Sequence, residues 1–488
     1  YSKENNLNVL ELGSGSNTLT DLRFRAGGSL DTPQKNNWGP QFGFAWQPDG
    51  VHGNAVVRGG FGINYNQNEI AILASGNANP PAAVSANLNC NYPYTTNPTC
   101  AGSGILYETA SDPHSLYGYS PNPALVTSFD SNNLPVTGSL SGTGFGQNPK
   151  TIANYHFSLN VEYQLPFHTV ASLGYQGSLM RHLLIHQEWN SIAAANRIPL
   201  NPKVNSVNYW DNVGSGNYNG MVATLNHTFA HGFQAEAMYT WSKAMDENSG
   251  PYFQDPYPFN PHLAYGRSDY NVGNAFKLFG LWQPVIFHGN NLLEKLAGGW
   301  SLSGIWNVNS GFPWNPTYNT VGKIYYSSSP YGSLRPAGLV GHHGSSTSNK
   351  TFMQQNNPDF PNGGYNFFAG PTYTSTAAPP VAFPNTTGAP QLGIERNSLN
   401  GPGYSDVDGS LAKSFGLPNN RILGEGAMFE FRADFYNLFN ETNLSTINGT
   451  LGTVAPDGTL KGAPNSNFGV ANGALGARTV QLQARFSF

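Results

Sequence analysis

The chain has 488 residues, a formal net charge of −4 and only 10% charged residues, against roughly 25% in a typical globular protein. Its few Lys and Arg residues are scattered along the sequence, which argues against a nucleic-acid-binding protein. No apolar run reaches the roughly 18 residues that a membrane-spanning helix needs, so the sequence predicts no transmembrane helix.

The composition is polar but uncharged. Aromatic residues make up 13% of the chain and Gly occurs 57 times, while the mean hydropathy is −0.36. A β-barrel with one face in lipid and the other in water needs this balance. Because the sequence starts at Tyr1 without an initiator Met or a signal peptide, we expect a mature or truncated fragment.

Alternation of apolar and polar residues predicts about eleven strands. The clearest segment is 154–165, where a strand places six apolar residues on one face and six polar residues on the other, and a helix would mix them. The patterns at 218–229, 274–284 and 404–415 are weaker. In chain order the predicted strands are 41–47, 57–66, 154–165, 171–176, 218–229, 233–242, 274–284, 300–309, 404–415, 429–436 and 480–488.

The predicted connections alternate between short and long. The short ones are 49–54, 166–168, 230–232, about 287–298 and about 416–426. The long ones are 68–152, 183–216, 246–272, 311–403 and 439–478. Outer-membrane barrels have short periplasmic turns and long outer loops. A soluble sandwich of two sheets is the alternative, although it has no reason to sort its loops by side.

The predicted fold class is therefore all-β, an antiparallel transmembrane β-barrel of which about eleven strands are present. We expect residues 1–37 to be a partial outer loop or strand remnant, and residues 38–488 to be barrel with its long outer loops. Aromatic residues near strand ends would form girdles at the lipid–water boundary, or pack inside a sandwich. They are Trp46, Tyr163, Trp241, Trp282, Trp300 and Trp314.

Charged residues on the polar faces of the strands are candidates for a solute path through the barrel or for contacts with a domain inside it. The alternative is a set of ion pairs that only stiffens the wall. Asp246 and Glu247 are expected at the solvated start of an outer loop. The polar-face candidates are Arg58, Glu162, Glu236, Asp406, Asp408, Glu430, Arg432, Asp434 and Arg485.

The only two cysteines, Cys90 and Cys100, lie in a polar segment and are expected to form a disulfide in an oxidising compartment; two unrelated thiols are the alternative. No second Cys or His pair lies close enough for a zinc site. The Gly-rich runs lack the Lys of a phosphate-binding loop. We therefore expect no metal, no cofactor and no enzymatic activity.

Several segments, in order along the whole chain, resemble the TonB-dependent receptors, and within them the Oar-like group with an N-terminal carboxypeptidase-regulatory-like domain. The match is specific for the family and says little about the substrate. The segments are NNWGPQFGFAWQP (36–48), AVVRGGFGINYNQ (55–67), VASLGYQGSLMRHLL (170–184), YNGMVATLNHTFAHGFQAEAMYTWSKAMDENSG (218–250), GGWSLSGIWNVNSGFPWNP (298–316), FEFRADFYNLFNETN (429–443) and RTVQLQARFSF (478–488).

The resemblance implies a barrel of about 22 strands whose lumen is filled by an N-terminal plug, so that this chain would be its C-terminal half. It also implies a cell outer-membrane location and contact with the TonB complex through a segment missing here. The last strand resembles the signal read by the barrel-assembly machinery; alternatively it is merely the last lipid-facing strand. Its alternating residues are Val480, Leu482, Ala484, Phe486 and Phe488.

The expected function is energised passage of a bulky solute across the outer membrane, with export of a protein as a variant in the Oar-like group. A passive porin-like channel and a surface adhesion or structural barrel are the alternatives. The expected partners are outer-membrane lipid, the TonB complex, the assembly machinery and an unknown solute, with no nucleic acid.

Overall fold

A computed structural model gives the fold of the chain. Among the residues described below, Asp49–Val51 and Pro261–Ala264 form 3-10 helices. Within the described residues no helix is long and apolar enough to cross a membrane. The structure describes residues 8–14, 19–26, 34–51, 53–69, 128–136, 138–146, 150–189, 201–250, 261–287, 297–320, 395–417, 427–445, 447–454, 467–471 and 473–487, and short pieces at 72, 74, 76, 79, 254–255, 293–294, 351–353, 364–366, 462–463 and 465.

Apart from helical positions at 72, 74, 76, 189, 293–294 and 297, the remaining elements in these ranges are strands. The first are β1 (Asn8–Glu11), β2 (Arg23–Ala26), β3 (Gln41–Trp46), β4 (Ala55–Asn66), β5 (Leu140–Phe145), β6 (Ile152–Leu165), β7 (Thr169–Glu188), β8 (Val204–Ala230), β9 (Phe233–Asp246), β10 (Gln254–Asp255), β11 (Gly266–Arg267) and β12 (Asn274–Trp282). They are followed by β13 (Trp300–Asn309), β14 (Pro313–Trp314), β15 (Thr317–Thr320), β16 (Thr351–Met353), β17 (Gly364–Asn366), β18 (Leu399–Asn400), β19 (Tyr404–Gly416), β20 (Met428–Tyr436), β21 (Thr450–Val454), β22 (Val470–Ala471) and β23 (Thr479–Ser487).

Eleven strands form one continuous wall, in the order β3-β4-β6-β7-β8-β9-β12-β13-β19-β20-β23. Each strand pairs antiparallel with the next. The predicted number of strands and the antiparallel all-β fold are confirmed. The short turns and long connections also alternate between the two ends of the wall, which are called the short-turn end and the long-loop end below.

The apolar face of the wall is exposed. Cross-strand register places Val57 beside Val161 and Val161 beside Leu173, so the apolar residues of neighbouring strands share one face. Leu159 is 47% exposed and Trp241 60% exposed, whereas a sandwich would bury such side chains between two layers. The sandwich alternative is therefore wrong, and the exposed apolar band is the surface that a barrel turns towards lipid.

The aromatic residues predicted at the boundaries follow this band, with one exception. Trp46, Tyr163, Trp282 and Trp300 are exposed side chains at or near strand ends, and the exposed Trp241 lies opposite Asn274, the first residue of β12. Trp314 instead lies in β14 at the long-loop end, where its ring packs 5.8 Å from the ring of Phe468. Its assignment to a girdle is wrong because the chain has already left the wall at this residue.

The connection between β8 and β9 is a two-residue hairpin turn. His231 and Gly232 have φ values of 53° and 79°, the left-handed pair that a type I′ turn requires. An ideal Cβ on Gly232 would lie 2.2 Å from the carbonyl oxygen of Gln283 in the neighbouring turn. Gly is therefore required here for both its conformation and its size.

Replacement of this glycine tests the turn. Gly232→Ala is expected to lower the free energy of unfolding by about 2 kcal/mol or more, because the clash with the Gln283 carbonyl oxygen adds to the cost of about 1–2 kcal/mol for a left-handed non-glycine residue. The measurement is urea unfolding of the full-length protein in lipid vesicles. Gly50→Ala, at the same end of the wall with no atom within 4 Å of its Cβ position, is the control and is expected to change little.

Two strands continue well beyond the wall at the long-loop end. β7 runs to Glu188 and β8 begins at Val204, so most of the predicted loop 183–216 is strand. The extension of β8 pairs with β5, β5 pairs with β1, and β1 pairs with β2. We call this part, made of β1, β2, β5 and the segments 183–188 and 204–214, the cap.

The cap has a buried core, unlike the wall. Leu10, Leu22 and Val207 are fully buried and Phe24 is 1% exposed. The remaining buried members of this cluster are Leu19, Leu134, Val204 and Tyr209. Residues 8–26, expected to be a loop or strand remnant, thus supply two strands of a packed unit. Part of the predicted loop 68–152 supplies a third strand, β5.

The other long connections also contain short strands. β14 pairs with β18 and β15 pairs with β21, while β17 pairs with both β16 and β22. These pairs join the predicted loop 311–403 to itself and to the predicted loop 439–478. The long-loop end is therefore built by segments that are distant in sequence.

Candidate functional site

The polar face of the wall carries the predicted charged residues. Arg58 on β4 and Glu162 on β6 form an ion pair, with 3.0 Å between Arg58 Nη1 and Glu162 Oε1. Asn160 Nδ2 donates a second hydrogen bond of 2.9 Å to the same oxygen. The arginine side chain is 57% exposed, so this pair is open to water and stabilises the wall only weakly.

Further along the wall, Glu236 and Lys277 occupy the polar face. Glu236 lies opposite Asn226, whose Nδ2 donates to Oε2 at 3.4 Å. Lys277 lies between Met238 and Asn307 in register. Lys277 is not recognisable from the alternation of apolar and polar residues, because Phe279 shares its face and breaks the alternation of β12.

Asp406 and Asp408 lie on the same face of β19. The hydroxyl of Tyr404 donates to Asp406 Oδ2 at 3.1 Å, and the backbone N–H of Asn437 donates to Asp408 Oδ1 at 2.9 Å. Asp408 thereby fixes the chain where β20 ends. The other oxygen of Asp406 is buried without a hydrogen bond to any described residue.

The charged residues of the last two strands also lie together. Arg432 Nε donates to Asp434 Oδ1 at 2.7 Å, and Ser414 Oγ donates to Glu430 Oε2 at 3.2 Å. Arg485 is the direct cross-strand neighbour of Glu430. The nine predicted residues therefore share the polar face, but they form separate groups along six strands and no single centre.

A buried polar network lies at the long-loop end, where a solvated loop was expected. Asp246 is 6% exposed and Glu247 is 2% exposed, so the expectation is wrong for both. Arg396 is 3% exposed and its Nη2 donates to the carboxylate and, at 2.7 Å, to the carbonyl of Asp246. Glu247 accepts hydrogen bonds from the N–H and hydroxyl of Ser215 and contacts His262 Nδ1 at 2.6 Å.

The same network joins two long connections. Arg267 Nε donates to the carbonyl of Asn397 at 2.6 Å, and Asn397 Nδ2 donates to the carbonyl of Arg267 at 2.7 Å. The Asn397 side chain also contacts Asp269 Oδ1 and Asn315. No sequence pattern reveals these contacts, because the partners are distant in sequence: 130 positions separate Arg267 from Asn397, and 82 separate Asn315 from Asn397.

The C-terminal strand lies at one edge of the wall. Val480, Leu482 and Ala484 pair with Phe435, Ala433 and Phe431 of β20 on the apolar face, and Leu482 is 79% exposed. Phe486 continues the same face opposite Phe429. Phe488 lies outside the described residues, as do Cys90 and Cys100 and the predicted disulfide.

This combination defines a class of protein. One antiparallel wall of eleven strands, apolar and exposed on one face and polar on the other, with short turns at one end and long connections at the other, is the wall of an outer-membrane β-barrel. A family model described as an outer membrane beta barrel domain matches residues 1–481. The chain belongs to this family and is a protein of the outer membrane. In such barrels the long loops lie at the outer end, and the long-loop end is called the outer end below.

Solved structures with a similar arrangement are also outer-membrane proteins. The outer membrane transporter YddB from Escherichia coli is 9% identical, with a TM-score of 0.42, over 91% of this chain and 40% of that one. The ferric-catecholate import receptor Fiu from E. coli K12 is 9% identical, with a TM-score of 0.36, over 98% and 40%. The ferripyoverdine receptor of Pseudomonas aeruginosa is 11% identical, with a TM-score of 0.37, over 88% and 33%.

These three proteins are described as transporters or receptors. The chain spans about 40% of the length of the first two structures. No curated protein matches the chain.

Proposed function

We propose that this chain is the C-terminal part of the barrel of a TonB-dependent receptor of the Oar-like group, which moves a bulky solute across the outer membrane with energy supplied through TonB. Residues 38–488 provide wall and outer loops, and the described residues 8–14 and 19–26 add to the cap. The plug and the segment that contacts TonB belong to the rest of the protein.

The observation that carries this proposal is the pair of unsatisfied edges of the wall. Each end strand, β3 and β23, has one neighbour among the described strands, and every described side chain of β3 is exposed. An open sheet edge is not stable in lipid, because its N–H and C=O groups find no water there. Eleven further strands would close a barrel of about 22 strands, a size that holds a plugged lumen.

The charges on the polar face support the same proposal. Arg58, Glu162, Lys277 and Asp406 lie on strands spread across the wall, and water or a polar plug can satisfy them. A plug held by such exposed, weak ion pairs can move at a small cost in free energy. The network around Arg396 would meanwhile hold the outer loops in place over the solute entrance.

Conductance distinguishes an energised receptor from a passive channel. The full-length protein in a planar bilayer is expected to conduct very little, and a variant without its plug to form a large open pore. The purified periplasmic domain of TonB is expected to bind the full-length protein and not a variant that lacks the segment before the plug. Steady conductance of the full-length protein without TonB binding would establish the passive channel instead.

We also propose that the barrel-assembly machinery recognises the C-terminal strand by strand addition at its open edge. Phe486→Ser is expected to lower the folded fraction in the outer membrane severalfold, as measured by heat-dependent mobility in gel electrophoresis. Ser487→Ala, one residue away on the opposite face, is the control. Equal assembly of the two variants would contradict the proposal and leave β23 as an ordinary lipid-facing strand.

A further inference from the structure

An open cavity of about 1150 Å³ lies between the cap and the outer end of the wall. The lining residues used below are Glu11, Lys150, His182, Trp189, Tyr209 and Asp211. We propose that this cavity binds short peptides with free termini, with the N-terminal ammonium group against Asp211 and the C-terminal carboxylate towards Lys150 and His182. Its role in uptake rests on the proposed receptor function, whereas the binding itself does not.

The inner part of the cavity has an uncompensated negative charge. Asp211 lies on the extension of β8 and is partly buried; its Oδ1 accepts a hydrogen bond of 2.8 Å from the N–H of Asn212. No cation forms an ion pair with Asp211 among the described residues. Burial raises the pKa of this carboxyl group, although the Asn212 hydrogen bond offsets part of the effect. A buried carboxylate without a cation is unfavourable, and a bound ammonium group removes this cost.

The second carboxylate of the inner part is already neutralised. Glu11 accepts hydrogen bonds from Arg23, at 2.8 Å, and from Arg25. Burial alone would raise the pKa of Glu11, but the two guanidinium groups hold it below its usual range. Asp211 is therefore the inner acidic group that remains available for a cationic ligand group.

The cavity has a cationic group, Lys150, beside the His182 imidazole at its outer side. Lys150 is exposed and directly precedes β6, and His182 lies where β7 leaves the wall. Neither is in an ion pair with a described acidic residue. A ligand that fills the cavity therefore meets the Asp211 carboxylate at the buried side and the Lys150 ammonium group at the exposed side, where the Asp21 carboxylate also lies. The Asp211 and Lys150 groups match the two opposite charges of a peptide with free termini.

The backbone forms the cavity at an irregularity of the β7–β8 pair. Register shifts fall between Arg181 and Leu183 and between Leu183 and Leu184, and His182 has a φ of 59°. Such bulges bend a hairpin, and here the bend opens the space between wall and cap. Trp189 and Tyr209, whose rings meet edge to face at 6.4 Å, add an apolar surface for small side chains.

Gly146 permits the position of Asp211. An ideal Cβ on Gly146 would lie 2.2 Å from Asp211 Oδ1, so an alanine at position 146 must displace the carboxylate. This gives a second variant that leaves the charge of the cavity unchanged and moves the group proposed to bind the ammonium ion.

The test uses trialanine as the probe and the full-length protein in detergent, by isothermal titration calorimetry. Trialanine is expected to bind, and N-acetylation of the probe is expected to weaken binding about tenfold or more, because a charge-assisted hydrogen bond is lost. Asp211→Asn and Gly146→Ala are expected to have a similar effect, and Lys150→Gln a smaller one. Asp49→Asn, in a turn at the opposite end of the wall, is the matched control and is expected to bind normally.

Folding of each variant is checked by heat-dependent mobility in gel electrophoresis. The proposal is wrong if trialanine does not bind, if the N-acetylated probe binds equally well, or if maltotriose binds in its place. Because this experiment measures binding alone, its outcome does not depend on the conductance and TonB measurements that test the receptor function. If the protein binds trialanine and also conducts steadily, the peptide-binding cavity is supported and the receptor function is contradicted.

Discussion

Leu159→Arg is expected to lower the free energy of unfolding of the full-length protein in lipid vesicles by about 2–4 kcal/mol. Leu159 lies on the exposed apolar face in the middle of β6, opposite Gly59 and Tyr175. A guanidinium group at this depth has to enter the hydrocarbon core or distort the bilayer around it. Urea unfolding in vesicles of defined lipid measures the change.

The matched control places the same charge on the other face. Gln176 belongs to the adjacent strand β7 and lies opposite Ser158, on the polar side of the wall. Gln176→Arg is expected to cost less than about 1 kcal/mol, because water reaches this face in a barrel. Equal losses for the two variants would mean that both faces have the same surroundings, and the assignment of lipid and lumen would fail.

Arg396→Ala is expected to destabilise the outer network by about 3–5 kcal/mol, because it leaves the Asp246 carboxylate buried without its cation. The effect is local, since Arg396 joins segments outside the lipid band. Hydrogen exchange is the appropriate measurement. The amides of Glu247 and Ser268, which donate to Ser215 and Ala244, are expected to exchange faster, while those in the middle of β9 keep their rates.

Arg58→Ala is the control for this second variant. It removes the same side chain from an ion pair in which Arg58 is 57% exposed, and the expected loss is at most about 1 kcal/mol. If Arg396→Ala had an equally small effect, the outer network would contribute no more than a surface ion pair, and it could not hold the loops in place.

The wall could be predicted from the sequence because the constraint that forms it is local. A strand with lipid on one side and water on the other needs alternating residues, and segments such as 154–165 display this directly. Register then follows, since a shift by one residue would turn every apolar side chain towards water. The alternation in β12 is weaker because the apolar residues Phe279 and Leu281 lie on the same face as Lys277.

The cap and the outer network could not be predicted because their determinants are distant in sequence. Asn201 Nδ2 donates to the carbonyl of Leu19 across 182 positions, and Arg396 reaches Asp246 across 150. Segments such as 8–26 and 204–214 carry no period that separates a packed strand from a solvated loop. The bulge at His182 also changes which side of β7 a residue occupies. Beyond this residue, the alternation of apolar and polar residues no longer indicates the face on which a side chain lies.

The length of β8, 27 residues, determines how far from the membrane the protein can first contact a solute. About ten of them suffice to cross the hydrocarbon core, and the segment above the pairing with β9 rises roughly 30 Å if the strand keeps the tilt usual in such barrels. Because the single strand β8 forms part of both the wall and the cap, the cap projects from the wall beyond the membrane surface. The proposed binding cavity therefore lies beyond the lipid headgroups, where a solute from the medium can bind before it reaches the membrane.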